Sequence, residues 1–293
     1  MRIHDLSASG VSLTLVMLLT RLLPEKPMLR LAAALADRAA SEDSPSVRAV
    51  RMNQAVVRGL SPEDTSVDRA VRAVYHSAAR GYVAHFRALA KGKEAVLRAC
   101  ELSPELEERA LAALARRQGL IIVGPHVSAF DLFLLTVGAR GYSAQGLSPP
   151  LPTAAYKIQN RMRTQFGTET TPISVESLRL AIRRLRAGGL VLTGLDRPIP
   201  KSEGLNFFGR PCNLPLGYAR LAVRTGAALL PAVVTPLGQG RYRTVAGELM
   251  YPPSSQDEAA ARGMAQAALD QIEPIVRQYA DEWLMFFPVW PDA

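Results

Sequence analysis

The residues with the clearest chemical potential lie at positions 120–135, LIIVGPHVSAFDLFLL, where an apolar run meets a new helix. His126 and Asp131 stand there in an H-x4-D arrangement at a predicted junction of strand and helix. Such junctions suit reactive groups because the sheet holds their geometry. A histidine can take a proton from a hydroxyl near neutral pH, and a carboxylate behind it stabilises the imidazolium. The pair resembles a serine-hydrolase triad without its serine, so the activated hydroxyl is expected to belong to a substrate.

A structural interpretation of the same segment is that Asp131 serves the helix backbone. Ser128 and Asp131 form an S-x-x-D pattern, which is typical of a capping box at the start of a helix. His126 would then be only the loop residue before the cap. The two interpretations are compatible, since an aspartate in the first helical turn can face back toward a histidine outside the helix.

A second group of polar residues follows the apolar run at 190–195. Asp196, Arg197 and Pro198 come directly after this predicted strand. Ligands gather at the carboxyl ends of parallel strands, so Asp196 or Arg197 is a candidate for positioning a phosphorylated or hydroxylated substrate. The alternative is a turn aspartate beside a solvent-facing arginine.

A third candidate segment is NFFGRP, residues 206–211. Arg210 and Gly209 are the candidates of this segment for binding a ligand, whereas core packing explains most of its other residues. Phe207 and Phe208 are adjacent, and neighbouring side chains of a strand point to opposite faces. One of the two rings is therefore expected to line a cavity or meet lipid.

The chain from residue 119 onward predicts an α/β fold, with a mainly parallel central sheet flanked by helices. Strands are expected at Leu120–Val123, Thr171–Ser174, Leu190–Leu195, Ala227–Val234 and Arg241–Met250. Helices are expected at Val175–Ala187, Leu216–Thr225 and Glu258–Trp283. Pro274 predicts a kink or break in the last helix, and Pro231 predicts that its strand lies near a sheet edge or bulge.

Residues 1–118 are predicted to form a helical N-terminal region. Helical spacing is present at Pro27–Ala40, Pro45–Arg58 and Pro62–Leu89, and Ser103-Pro104 begins another helix. The apolar segment 11–23 is about 20 Å long at ~1.5 Å per residue, which is short of a ~30 Å membrane core. It predicts an interfacial anchor, with a docked core helix as the alternative. Because no long linker divides the sequence, residues 1–293 are expected to form one domain with an α/β catalytic core at 119–293.

Composition limits the partners and cofactors that this chain is expected to use. The net charge of +9 suits an anionic membrane surface, an acidic carrier protein or nucleic acid. Nucleic acid is disfavoured because zinc-finger spacing and RNP-like motifs are missing from the sequence. Cys100 and Cys212 are too few for a disulfide framework or zinc site, which indicates a reducing compartment. Motifs of serine hydrolases, P-loop enzymes, zincins and dinucleotide enzymes are likewise missing, so no metal or redox cofactor is expected.

The sequence blocks together resemble the lysophospholipid acyltransferase superfamily, in its branch of lipid A late acyltransferases and phosphatidylinositol mannoside acyltransferases. GPHVSAFD is similar to the family's H-x4-D/E motif, and LTGLDRP, GLNFFGRP and RTGAALLP resemble later blocks. WLMFFPVW at 283–290 resembles the family's tail, and VRAVYHSAARGYVAHF resembles its N-terminal helices. The resemblance covers nearly the whole chain, and the blocks together are far more specific than the histidine motif alone.

The resemblance implies transfer of a fatty acyl group from a thioester to a hydroxyl of a membrane glycolipid. It assigns the catalytic base to His126 and the charge-relay acid to Asp131, and it places Asp196 at the acid of a later block. It also implies an arginine within KIQNRMRTQFG, where Arg163 is preferred over Arg161. The segment DRPIPKSEG departs from a DRD-like spacing, which leaves the roles of Arg197 and Pro198 open.

The expected partners are an acyl donor, either acyl-CoA or an acyl carrier protein, a glycolipid acceptor and the cytoplasmic face of the bacterial cell membrane. Candidate residues for an acyl groove are aromatic, namely Phe130, Phe133, Phe207 and Phe208. The alternatives are a thioesterase that uses water at the same dyad, a lysophospholipid acyltransferase and a non-catalytic lipid-binding protein.

Overall fold

The computed structural model describes residues 18–20, 23–150, 154–201 and 203–290. Its N-terminal part is helical, as the sequence predicts. The first four described long helices are α1 (Glu25–Ala40), α2 (Pro45–Arg58), α3 (Thr65–Lys91) and α4 (Lys93–Ala99). Ser44 caps α2 by accepting a hydrogen bond from Val47 N, and Gly59 ends that helix with φ of 65°. The predicted start of the next helix at Pro62 is wrong, because Asp64 caps α3, which begins at Thr65.

The rest of the chain builds a mixed sheet of seven strands with helices between them. The strands of this sheet are β1 (Cys100–Glu101), β2 (Leu120–Gly124), β3 (Ala144–Ser148), β4 (Thr168–Pro172), β5 (Leu190–Gly194), β8 (Ala228–Gly238) and β9 (Arg241–Ala246). A separate hairpin consists of β6 (Leu205–Phe207) and β7 (Arg210–Cys212). The helices are α5 (Pro104–Ala115), α6 (Phe130–Ala139), α7 (Ala154–Arg163), α8 (Val175–Arg186), α9 (Gly217–Thr225) and α10 (Glu258–Gln278).

The strand order across the sheet is β1-β9-β8-β2-β5-β3-β4. Every neighbouring pair is parallel except β8 and β9. This arrangement confirms the prediction of a mainly parallel sheet flanked by helices. Strands β2 and β5 lie at its centre, and their register pairs Gly124 with Gly194.

Apolar residues cover both faces of the sheet, which makes the core two-layered. Ile121 and Val123 of β2 pack into the core under α8, α9 and α10, whereas Leu120 and Ile122 pack into the core under α3 to α6. Strand side chains alternate between faces, so a central strand of a covered sheet is apolar throughout. This burial explains why the runs at 120–123 and 190–192 are continuous rather than alternating.

The structure corrects several expected elements. Strand β3 was not predicted, because its sequence AQGLS contains no apolar run. Pro231 lies in an interior strand rather than at an edge, at the point where pairing of β8 with β2 ends and pairing with β9 begins. Helix α10 runs through Pro274 and ends at Gln278 rather than at Trp283, after which residues Ala280–Glu282 form a 3-10 turn.

The segment 11–23 lies mostly outside the described residues. Of its described part, Leu19 and Leu23 pack against Met28 and Val83, and the Leu23 carbonyl accepts a hydrogen bond from Arg87 Nη1 at 3.0 Å. Leu18 is about half exposed. Across the part of the chain that the structure covers, every helix is too short or too polar to cross a membrane.

Candidate active site

The register of two central strands creates the site. Gly124 ends β2 and pairs with Gly194, which ends β5. His126 and Asp196 each follow their strand end by two residues, so the parallel register brings them together. The Nδ1 atom of His126 lies 2.6 Å from Oδ1 of Asp196. The two polar groups that the sequence identified separately thus form one pair.

Asp196 is held from several directions. Its Oδ2 accepts hydrogen bonds from the His126 backbone N–H and from the Trp283 indole N–H, each at 2.8 Å. The residue is fully buried, so its carboxylate depends on these donors in place of water. Because Nδ1 of His126 faces this carboxylate, Nε2 is the ring nitrogen left for a substrate proton.

The absence of a side chain at Gly194 leaves room for the His126 imidazole. A Cβ atom added to Gly194 would lie 3.0 Å from Cε1 of His126, which is tighter than an ordinary contact. On its other side, the His126 ring contacts Phe130 edge-on, with the two centroids 4.5 Å apart. Glycine at this strand end and the first aromatic of α6 therefore define the ring's position.

Asp131 has a different partner from the one expected. Its Oδ1 accepts hydrogen bonds from Nε of Arg163 at 3.0 Å and from Nη2 at 2.5 Å, and Arg163 also donates to Asn160 Oδ1. Burial alone would raise the pKa of the Asp131 carboxyl, but the Arg163 guanidinium, together with the nearby His85 and His126, outweighs burial and holds that pKa below its usual value. The ion pair keeps Asp131 ionised next to the histidine, without direct contact to Nδ1.

The capping interpretation of Ser128 does not hold. Helix α6 begins after Ala129 without a side-chain cap, and the Ser128 hydroxyl donates to Glu282 Oε2 at 2.9 Å instead. Ser128 has a φ of 51°, which turns the loop sharply toward the C-terminal segment. There the Ser128 N–H donates to the Glu282 carbonyl at 2.8 Å, and Leu284 N–H donates to the His126 carbonyl at 2.7 Å. The C-terminal segment thus holds the histidine loop.

A mostly apolar pocket opens beside the His126 ring. Its walls include His126, Asp131, Arg163 and Gly194 at the polar end. The apolar lining comes from strands β2, β5 and β8 and from helix α6, and includes Ile122, Phe130, Phe133, Leu192, Ala232 and Val234. The pocket therefore offers a reactive end and an apolar body.

The other predicted site residues lie elsewhere. Arg197 stacks over the ring of Phe287 with its Cζ 4.4 Å from the centroid, and Arg210 is exposed in β7. Phe207 is fully buried, and Phe208 is the partly buried residue that turns the β6–β7 hairpin, with a φ of 53°. This turn lets both rings pack with Trp283 and Trp290, so the expectation that one of them faces a cavity or lipid is not met.

Sequence reasoning missed Trp283 and Glu282 as parts of the site. The only signal was the block WLMFFPVW, which the resemblance identified as a tail without a role. Their contribution depends on a chain reversal after α10 that brings residues 280–285 back to the sheet edge. Within the described ranges, no three His, Cys, Asp or Glu side chains form a group that would hold a metal ion.

The sequence is similar to curated proteins that share one name. Over 184 residues the chain is 28% identical to a phosphatidylinositol mannoside acyltransferase of Mycobacterium tuberculosis strain H37Rv, which covers 61% of the chain and 57% of that relative. It is 26% identical over 255 residues to a protein of the same name from Mycolicibacterium smegmatis, covering 82% of the chain and 78% of the relative. The chain thus spans little more than half the length of the first of these relatives.

The family comparison is broader. The model of the family described as bacterial lipid A biosynthesis acyltransferase matches residues 6–291, and this match confirms the resemblance recognised in the sequence. Because it extends over nearly the entire sequence, the chain belongs to the bacterial lipid A biosynthesis acyltransferase family.

Proposed function

We propose that this protein is an O-acyltransferase that moves a fatty acyl chain from an acyl thioester to a hydroxyl of a membrane glycolipid. The observation that carries the proposal is the His126–Asp196 pair, whose histidine lines a mostly apolar pocket. Family membership supports acyl transfer as the chemistry. The relatives' name supports an acceptor of the phosphatidylinositol mannoside kind, and the family's name supports a lipid A precursor.

In the proposed reaction, Nε2 of His126 removes the proton as the acceptor hydroxyl attacks the thioester carbonyl. Asp196 supports the positive charge that develops on the imidazole. The tetrahedral intermediate then expels the thiolate, which takes the proton from His126, so the base is regenerated. The thioester supplies the activated bond, and the protein supplies orientation and proton transfer without a metal or redox cofactor.

Asp131 and Arg163 have a distinct place in this scheme. Their ion pair lies in the wall of the pocket next to His126. Arg163 is almost fully buried, and its guanidinium donates to Asp131 and Asn160. We therefore do not assign it to a substrate phosphate. We infer that the pair shapes the polar end of the pocket and that Asp196 is the residue supporting the base.

The acyl chain is proposed to occupy the apolar body of the pocket, against Phe130 and Phe133. The donor is acyl-CoA or an acyl carrier protein, since both present a thioester at the end of the same phosphopantetheine arm. The protein is proposed to act from the cytoplasmic face of the membrane as a peripheral enzyme. The net charge of +9 supports attraction to an anionic bilayer.

The test is product analysis with purified protein, palmitoyl-CoA or palmitoylated carrier protein, and a phosphatidylinositol mannoside or lipid A precursor in mixed micelles. Wild type should form acylated glycolipid. His126→Ala and Asp196→Asn should lower kcat by about 10²–10⁴ without loss of fold, because the first removes the general base and the second removes the charge that supports it. Arg224→Gln is the matched control, since this exposed arginine of α9 lies outside the pocket and has no predicted ligand role, and it should retain activity.

Other products would identify the rival functions. Free fatty acid released at the same rate with and without the acceptor would assign a thioesterase. Acylation of a lysophospholipid, without acylation of either glycolipid, would assign a lysophospholipid acyltransferase. Lipid binding without turnover in any combination, or full activity of a folded His126→Ala protein, would contradict the proposed mechanism.

A further inference from the structure

A tryptophan of the C-terminal segment, outside the pocket lining, contacts the aspartate of the His126–Asp196 pair. The Trp283 indole N–H donates to Asp196 Oδ2 at 2.8 Å, while Asp196 Oδ1 faces His126 Nδ1 at 2.6 Å. The indole is almost fully buried and its ring packs against Phe207 and Phe208. A rigid ring in a packed cluster therefore holds the carboxylate.

We propose that Trp283 is a positioning residue for the reaction: its indole N–H fixes the orientation and the charge distribution of Asp196, and thereby the basicity of His126. This inference rests on the proposed function for its consequences in catalysis. A buried hydrogen bond to a carboxylate favours the charged form and restricts its rotation. Without that donor, Oδ2 keeps only the His126 backbone N–H.

The surrounding contacts make Trp283 part of one clamp with the histidine loop. Glu282, the preceding residue, accepts hydrogen bonds from the hydroxyls of Ser128 and Ser77 and pairs with Arg80. Val127 and Trp283 pair across an antiparallel bridge. The same short segment thus holds both the loop that carries His126 and the carboxylate behind it. A side chain placed this way acts on the dyad without touching a substrate.

A second tryptophan separates this positioning role from simple packing. Trp290 belongs to the same aromatic cluster, with its ring centroid 6.1 Å from that of Trp283 and 6.0 Å from that of Phe207. It is also buried, but its Nε1 has no hydrogen-bond partner among the described residues. Trp290→Phe therefore removes similar ring area from the same cluster and leaves Asp196 with all its donors.

The decisive measurement is the NMR titration of His126 in full-length protein with labelled histidine, which needs no turnover. The His126 signals are identified by their loss in His126→Ala. Trp283→Phe should raise the titration midpoint of His126 by about 0.3–1 pH unit, because a carboxylate with one donor fewer holds the imidazolium more strongly. Trp290→Phe should leave the midpoint unchanged. The other charged groups facing His126, Asp131 and Arg163, are the same in both variants.

Turnover gives the second readout. Trp283→Phe should lower kcat about 3- to 10-fold with little change in KM, and its effect should shrink in an Asp196→Asn background because the two residues act through one bond. If Trp283→Phe fails to fold, site-specific benzothienylalanine at position 283 keeps the ring size and replaces the N–H by sulfur. The inference would be overturned if Trp283→Phe had the same His126 titration midpoint and kcat as Trp290→Phe. It would also be overturned if Trp283→Phe lowered kcat as much in the Asp196→Asn background as in wild type. Absence of transfer by wild type would instead reject the proposed function, and the NMR titration would still decide this inference.

Discussion

His126 takes its carboxylate from a neighbouring strand rather than from its own helix. Asp131 follows at a spacing that looks suited to a relay, yet its carboxylate is bound to Arg163. Asp196 occupies Nδ1 instead, because β2 and β5 are adjacent and in register. The two residues of the H-x4-D motif therefore have different partners. The histidine pairs with an aspartate from the neighbouring strand, and the aspartate neutralises a buried arginine.

The first prediction concerns that arginine. Asp131→Asn leaves Arg163 as a nearly buried cation without its counter-ion, so the free energy of unfolding should fall by about 3 kcal/mol. Denaturant unfolding measures this loss. The double variant Asp131→Asn/Arg163→Gln removes both charges and should recover part of the stability. Equal free energies of unfolding for Asp131→Asn and wild type would show that the ion pair does not stabilise the fold.

The second prediction concerns His85, which is buried on α3 and lies near Asp131. Burial lowers the pKa of His85 below its ordinary value of 6.5, and Asp131 opposes this shift only in part. The unfolded chain therefore binds a proton at His85 more readily than the folded protein does. Stability should consequently fall as the pH drops below about 6.5, by up to about 1.4 kcal/mol per pH unit from this group.

Thermal unfolding between pH 7 and pH 5 tests this dependence. His85→Leu should show a weaker decline over that range, because the group that gains a proton on unfolding is gone. His76→Gln is the control, since His76 lies on the same helix and is partly exposed beside Asp37. A decline in His85→Leu as steep as in wild type would contradict the assignment.

The residues at the end of β5 and those that follow α10 position the site. Strand β5 ends in Gly194 against the imidazole, and the chain after α10 reverses so that Trp283 meets Asp196. Helix α2 holds that returning chain, since the Asn53 amide donates to the carbonyls of Met285 and Phe287 at 3.0 and 2.8 Å. The helical N-terminal region therefore supports the His126–Asp196 pair through the C-terminal segment.

The third prediction follows from the end of β5. Gly194→Ala places a methyl group 3.0 Å from Cε1 of His126, so the ring must shift. A small displacement of a base is costly, and kcat should fall at least about 10-fold while the melting temperature stays within a few degrees. Gly263→Ala is the control, because a Cβ atom there meets no atom within 4 Å. Full activity of Gly194→Ala would show that the imidazole has more room than its contacts indicate.

At the scale of the whole molecule, net charge and the N-terminal segment are the two features that bear on the proposed membrane binding. The net charge is +9, and Leu18, Leu31 and Leu35 are exposed on the N-terminal helices. Leu19 and Leu23, by contrast, pack on the helices that follow. The predicted anchor segment 11–23 is thus docked to the protein at its described end.

The fourth prediction separates these contributions. Deleting residues 1–17 keeps the contacts of Leu19 and Leu23, so the truncated protein should remain folded. Its binding to neutral vesicles should be lost. Binding to anionic vesicles should persist, but it should weaken as salt rises from about 50 to about 500 mM, because the shorter Debye length screens the attraction between charges. Vesicle co-sedimentation measures both. Unchanged binding to neutral vesicles would place the anchor outside this segment, and unfolding of the truncated protein would identify the segment as part of the core.

The sequence by itself determined the class of fold, several helix boundaries and the candidate acids and base, because these depend on local periodicity, capping residues and residue chemistry. Helices α2 and α8 begin at the expected residues, next to Ser44 and Ser174, for this reason. It did not reveal β3, whose buried Gln145 donates from its amide nitrogen to the Thr171 hydroxyl and to the Ser177 carbonyl.

Only the tertiary structure decided which carboxylate lies behind His126. That choice depends on the order of strands in the sheet, and strand order is set by packing between segments that are 70 residues apart in the chain. The same is true of Trp283, which reaches Asp196 across 87 residues. Local spacing limits which residues can react, but long-range register and burial decide which of them meet.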